Sequence, residues 1–172
     1  MNKLESLNQA KPEDIFLELL FGEQIFLWGI RVWVSSYRND LNVQDLLRSA
    51  YTNTGAPSAH TELDTMMEII TAIGYGVIDV RCPLCIKISA DEMRLMAAIA
   101  AWQHGSSQHD GDVYLECWAK PATLRILRPT AQLLAKTLKE GGLLIRPRPW
   151  SLRPHITSRQ SSNIRLHSVT IH

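Results

Sequence analysis

Between Ile15 and Val34 nearly every position is apolar, and only Glu18, Glu23, Gln24 and Arg31 break the run. Pro12 followed by Glu13 and Asp14 opens this stretch as a helix should, with proline in the first turn and acids at the positive end of the dipole. The pattern therefore predicts a helix from about Pro12 to Tyr37. On its wheel Glu13, Asp14, Glu18, Gln24, Arg31 and Ser35 share one sector with Leu17, Phe21, Ile25, Trp28 and Val32, so no clean polar face exists. A helix apolar almost all round sits at the centre of a bundle or under another subunit, and self-association is the expectation drawn from it. Four polar groups are too expensive for a membrane span, and the partner set is expected to include no membrane.

Glu23 lies opposite the polar sector. A carboxylate there is either a site residue with a raised pKa, or a side chain that snorkels out near Gly22 or pairs with an arginine; the second use is expected.

Shorter periodic segments follow. A helix runs from Asn42 to about Tyr51, and Thr52 to Pro57 breaks it. Ser58 or Thr61 caps the next helix, which carries Leu63, Met66, Met67, Ile69, Ile70 and Ile73 and closes at Gly74 and Gly76. Two helices across a glycine-containing turn invite comparison with a helix-turn-helix, but Glu62, Asp64 and Glu68 give the second a face that phosphates would repel, so bundle packing is expected. Ser89-Ala90-Asp91-Glu92 is a capping box and the clearest helix start in the chain. Its helix shows a small-residue face at Met93, Met96, Ala97, Ala100 and Ala101 and ends at His104-Gly105. Asp112 to Ala119 fits a short helix or a strand. From Pro121 another helix begins, with a kink or break expected at Pro129 and an end at Gly141-Gly142. Val77-Ile78-Asp79-Val80 and Leu143-Leu144-Ile145 are candidate partners in a minimal two-stranded sheet.

The fold class that results is mainly α: a multi-helix bundle over residues 12–150, possessing at most that two-stranded element, followed by an extended basic tail over 151–172. Composition agrees, since 172 residues with 45% hydrophobic and 20% charged fit one globular core.

The near-neutral total of +1 conceals an asymmetry. Residues 1–117 hold 8 Lys/Arg against 16 Asp/Glu, and residues 118–172 hold 10 Lys/Arg against Glu140 alone. The basic third either folds back on the acidic body or reaches an anionic partner. Self-docking is expected, because the acidic body is the nearest counter-charge. The alternative is a nucleic-acid surface made of Arg146, Arg148, Trp150, Arg153, Arg159 and Arg165, with the tryptophan stacking on bases. Trp28, Trp33, Trp102 and Trp118 suit a core.

Candidate chemistry is sparse. The patterns GxxxxGK[ST], GxSxG, HExxH and GxGxxG do not occur, which weakens the case for an enzyme. Three cysteines without a secretory leader suggest reduced thiols in a cytoplasm. Cys82-Pro83-Leu84-Cys85 alone has a chemical spacing, and its four residues resemble the CPxC of thioredoxin-like proteins. The surrounding order is helical and the capped helix starts only at Ser89, so no activity is carried over. Two thiols at this spacing can pack inertly, hold half of a zinc site, or close into a redox disulfide. Zinc would require Cys117 with His104 or His109, or His60, as further ligands. His104 also suits a plain helix C-terminal cation, and His109 beside Asp110 suits either a dyad or a solvated turn.

The function expected is therefore that of a non-catalytic cytoplasmic binding or regulatory protein, homo-oligomeric or with a protein partner and without a cofactor. The alternatives are a nucleic-acid-associated regulator and a small redox or metal protein centred on Cys82 and Cys85.

Overall fold

The computed structural model describes residues 15–105 and 107–148. Pro12 to Asp14, Trp150, Arg153, Arg159, Arg165 and the whole of the expected tail lie outside the described residues. Among the described residues six α-helices follow in order: α1 Phe21–Asn39, α2 Gln44–Asn53, α3 Ala59–Ile73, α4 Ala90–His104, α5 Asp112–Leu115 and α6 Pro121–Glu140. The protein is mainly α, as the periodicity predicts. α3 lies along α6, α4 packs on α6 and α5, and α1 crosses α3 and α4. The core joins Phe26, Leu27 and Ile30 of α1, Leu63, Met66 and Met67 of α3, Leu95, Met96 and Ile99 of α4, and Leu127, Leu134 and Leu138 of α6. Trp33 and Trp118 are buried, while Trp28 and Trp102 pack half-buried against the same cluster.

Three expectations need correction. The first helix does not extend back through Ile15. Phe16–Glu18 is a single 3-10 turn, Leu19 and Leu20 are extended, and α1 starts at Phe21. The cause is competition for the backbone: the Phe16 amide donates to the Ile86 carbonyl at 2.8 Å, and Ile15 forms an isolated antiparallel bridge with Lys87. Glu23 then accepts from the Leu20 amide at 2.7 Å and caps the new helix start.

Secondly, α6 continues through Pro129, so two separate pieces do not form. Pro129 and Arg125 both face solvent, so the carbonyl deprived of its usual partner at that turn is open to water.

The third correction concerns the sheet. No strand forms among the described residues, and the two extended runs are held apart at opposite ends of α4. At the N-terminal end the Asp79 amide donates to Asp91 at 2.8 Å and the Arg81 amide to Glu92 at 2.9 Å, while the Ser89 hydroxyl donates to the Asp79 carbonyl. At the C-terminal end the Gln103 side chain donates to the Leu143 carbonyl at 3.1 Å and accepts from the Ile145 amide at 2.8 Å. Its primary amide thus imitates a neighbouring strand, with one donor and one acceptor in register. A 15-residue helix is about 22 Å long, so runs satisfied at its two ends do not meet.

The same packing leaves little of α1 for another subunit. Val32 is buried, Ile25 and Trp28 are half-buried against the core, and of the five apolar residues in the polar sector only Phe21, and Leu17 before the helix, are exposed.

Residues 143 and 144 cross α1 at Gly22, where an added Cβ would lie 2.7 Å from three of their backbone atoms. Backbone cannot yield as a flexible side chain can. Gly22→Ala should therefore destabilise the fold by about 1–3 kcal/mol, measured by chemical denaturation.

Candidate functional site

The site is built around one arginine in the middle of α1. Arg31 is fully buried, and its guanidinium meets the equally buried Glu92 of α4 through Nε at 2.7 Å and Nη2 at 3.0 Å. Two further donations leave the pair: Nη1 to the Cys85 carbonyl at 2.6 Å and Nη2 to the Lys87 carbonyl at 3.0 Å. The Phe16 ring lies under the guanidinium, 5.2 Å from its carbon to the ring centroid. Glu92 is equally committed, accepting from the Arg81 and Ser89 amides at 2.9 and 2.8 Å. The expected capping box is present, since the Ser89 hydroxyl accepts from the Glu92 amide at 3.0 Å. Ion pair, helix cap and loop anchor are therefore a single network.

That network presents the segment from Arg81 to Lys87. Cys82 and Cys85 are joined by a disulfide across a turn in which the Cys85 amide donates to the Cys82 carbonyl at 3.0 Å. Expected reduced thiols thus give way to a crosslink at this pair. Both cysteines are half-buried, and Leu84 between them is 93% exposed.

The other residues considered for zinc are engaged elsewhere. The Cys117 thiol donates to the Tyr114 carbonyl at 3.5 Å, His104 contacts the Ile145 carbonyl at 3.0 Å, His109 contacts Asp112 at 3.0 Å, and His60 contacts the Pro57 carbonyl at 2.6 Å. Among the described residues no group of three or more His, Cys, Asp or Glu is placed to hold a metal ion. His109 turns to Asp112 instead of its neighbour Asp110, whose carboxylate accepts from the Ser107 amide. Asp112 also takes three donations from the Arg128 guanidinium, the shortest 2.6 Å. Burial would raise the Asp112 pKa, but Arg128 and then His109 outweigh it and hold the carboxyl below its ordinary value.

A second buried carboxylate closes the adjacent end of α1. Glu23 is fully buried and receives the Arg148 guanidinium at 2.7 Å, the Arg146 guanidinium at 3.4 Å and the Arg146 amide at 3.1 Å. The side chain pairs with arginine and does not snorkel. Arg146 and Arg148, considered above for phosphates, are here ligands of an internal acid, the Arg148 side chain being only 7% exposed. Burial pushes the Glu23 carboxyl up, yet the hydrogen bonds from Arg148, Leu20 and Arg146 prevail, and it titrates below the ordinary range.

Around these two anchors the surface is apolar. Leu17, Leu20, Phe21, Leu84, Ile86 and Leu144 are all between 41% and 93% exposed. They belong to neighbouring stretches of backbone: Phe16 is bonded to Ile86, and residue 144 passes over Gly22. Glu18, Lys87 and Arg146, also exposed, lie on the same three stretches of chain. It escaped sequence reading because its members come from three segments far apart in the chain and none shows a period. Among the described residues no helix is long and apolar enough to cross a membrane.

No protein-family model, curated protein or solved structure matches this chain.

Arg31→Met should leave Glu92 buried and uncompensated and strand two carbonyls, destabilising the fold by about 3–5 kcal/mol in a denaturant titration. Arg31→Lys should recover only part of this, since a single ammonium cannot serve the carboxylate and two carbonyls in the planar arrangement of a guanidinium.

The lowered pKa of Glu23 fixes the sign of a pH effect. Its contribution to stability is complete above the unfolded-state value and is lost as pH falls through the lower folded-state value. Stability measured from neutral to acid pH should fall on that limb, and Glu23→Gln should flatten it in part, leaving the share that Asp112 contributes with the same sign.

Proposed function

We propose that this protein acts by protein–protein association, and that the partner is a second copy of the chain docked through the apolar end of α1. The observation that carries the reading is the group of Leu17, Leu20, Phe21, Leu84, Ile86 and Leu144, six exposed apolar side chains gathered from three segments. Apolar side chains exposed singly are ordinary, but a contiguous group rimmed by charge marks a contact surface. The rim favours a copy of the chain over a partner of one charge sign. Glu18 stands on one segment and Lys87 on another, so a two-fold pairing can set the acid of one subunit against the base of its mate. The rigid footing supplied by Arg31 and Glu23 supports this role, because a pre-ordered surface loses less entropy on binding.

Sedimentation velocity at concentrations on the order of tens of micromolar should show a dimer. Phe21→Glu, at a position 60% exposed and thus tolerant of charge in the monomer, should shift it to monomer without lowering helical content. A wild-type chain that sediments as a monomer at that concentration overturns the reading.

A further inference from the structure

We propose that Cys82 and Cys85 form a reversible thiol–disulfide exchange centre whose reaction partner is a dithiol carried by a protein. The argument begins with what the crosslink does not do. A disulfide stabilises chiefly by closing a long loop in the unfolded chain, and this one spans a sequence separation of three. The segment it closes is also held without it. Arg31 grips the Cys85 and Lys87 carbonyls, Glu92 grips the Arg81 amide, and the turn bond between Cys85 and Cys82 lies within the ring. Bonds on both flanks of the sulfur pair are thus independent of the S–S bond, and Pro83 stiffens the turn. Reduction would leave two thiols facing each other on an unchanged scaffold, so the bond can open and re-form with little rearrangement.

In a subunit whose Leu84 and Ile86 are not covered by a second copy, the position is accessible as well as rigid. The cysteines are half-buried at the tip of a segment whose intervening Leu84 is 93% exposed, with Ile86 57% exposed beside them. A collar of apolar side chains gives a polypeptide more to bind than it gives a small thiol.

The exchange balances as follows. A thiolate of the partner attacks one sulfur of the pair, the Cys82–Cys85 bond breaks, and the departing cysteine takes a proton from solvent. The partner's second thiolate then attacks its own sulfur in the mixed disulfide, which releases the remaining cysteine as a thiol. Two electrons and two protons pass from the partner dithiol to this protein, and the partner becomes a disulfide. In the reverse direction the reduced protein reduces a protein disulfide.

The test uses the full chain with Cys117→Ser, so that only Cys82 and Cys85 titrate. Samples equilibrated over a series of glutathione redox buffers are quenched with a thiol-alkylating reagent and weighed by mass spectrometry, with far-UV circular dichroism recorded on each. The expected result is one cooperative two-thiol transition inside the series, with helical signal unchanged from end to end. The reduced protein should then reduce insulin disulfides at least tenfold faster than the Cys82→Ser variant does. A pair that stays fully oxidised until the protein is denatured, or fully reduced in the most oxidising buffer, overturns the proposal. A reversible transition without any gain on insulin over Cys82→Ser overturns the assignment of a protein partner.

Discussion

The mutual placement of α1, α4 and the loop before α4 depends on the burial of Arg31. An unpaired guanidinium in a core is prohibitive, and a bidentate carboxylate alone still leaves donors unsatisfied. The fold answers by bringing Glu92 from α4 and two backbone carbonyls from the preceding loop to the same group. The constraint runs both ways. The arginine cannot be accommodated until α1, α4 and the loop are mutually placed, and once it is, none of the three can shift independently of the others.

Glu23 repeats the logic with charges reversed. Here the carboxylate is the buried member and two arginines come from the chain that follows α6. The two ion networks lie on one helix, eight residues apart, and each fastens a non-helical segment to it. Helix α4 does comparable work through its polar ends, with Asp91 and Glu92 receiving one extended run and Gln103 the other. Irregular backbone in this protein is satisfied by side chains in places where a sheet would use a second strand. That arrangement explains how a mainly helical chain orders two extended stretches without a ladder.

The helices were legible because their signals are local. Periodicity locates α3, α4 and α6 closely, and the Ser89 capping box forms as its spacing requires. The failures share a cause, which is competition from residues remote in sequence. Ile15 and Phe16 read as helix, yet the 86–87 backbone draws them out of it. Val77 to Val80 and Leu143 to Ile145 read as strands, and each found a closer partner on α4. The charge asymmetry pointed toward a basic segment folding onto an acidic body, but no count could have chosen Glu23 among sixteen acids in residues 1–117. The Cys82–Cys85 spacing marked the pair as chemically special, whereas the arginine that anchors the loop lies more than 50 residues away and bears no motif.

The bonds between Glu23 and Arg148 span 125 positions of the chain. Contacts of such separation carry a large loop-closure entropy and are slow to form. A growing chain that has already buried α1 would hold Glu23 at its surface, charged and hydrated, until the stretch beyond α6 had been synthesised. Only then could the carboxylate leave water. Until that moment Gly22 and the Glu23 carboxylate stay open to any chaperone or neighbouring chain that meets them.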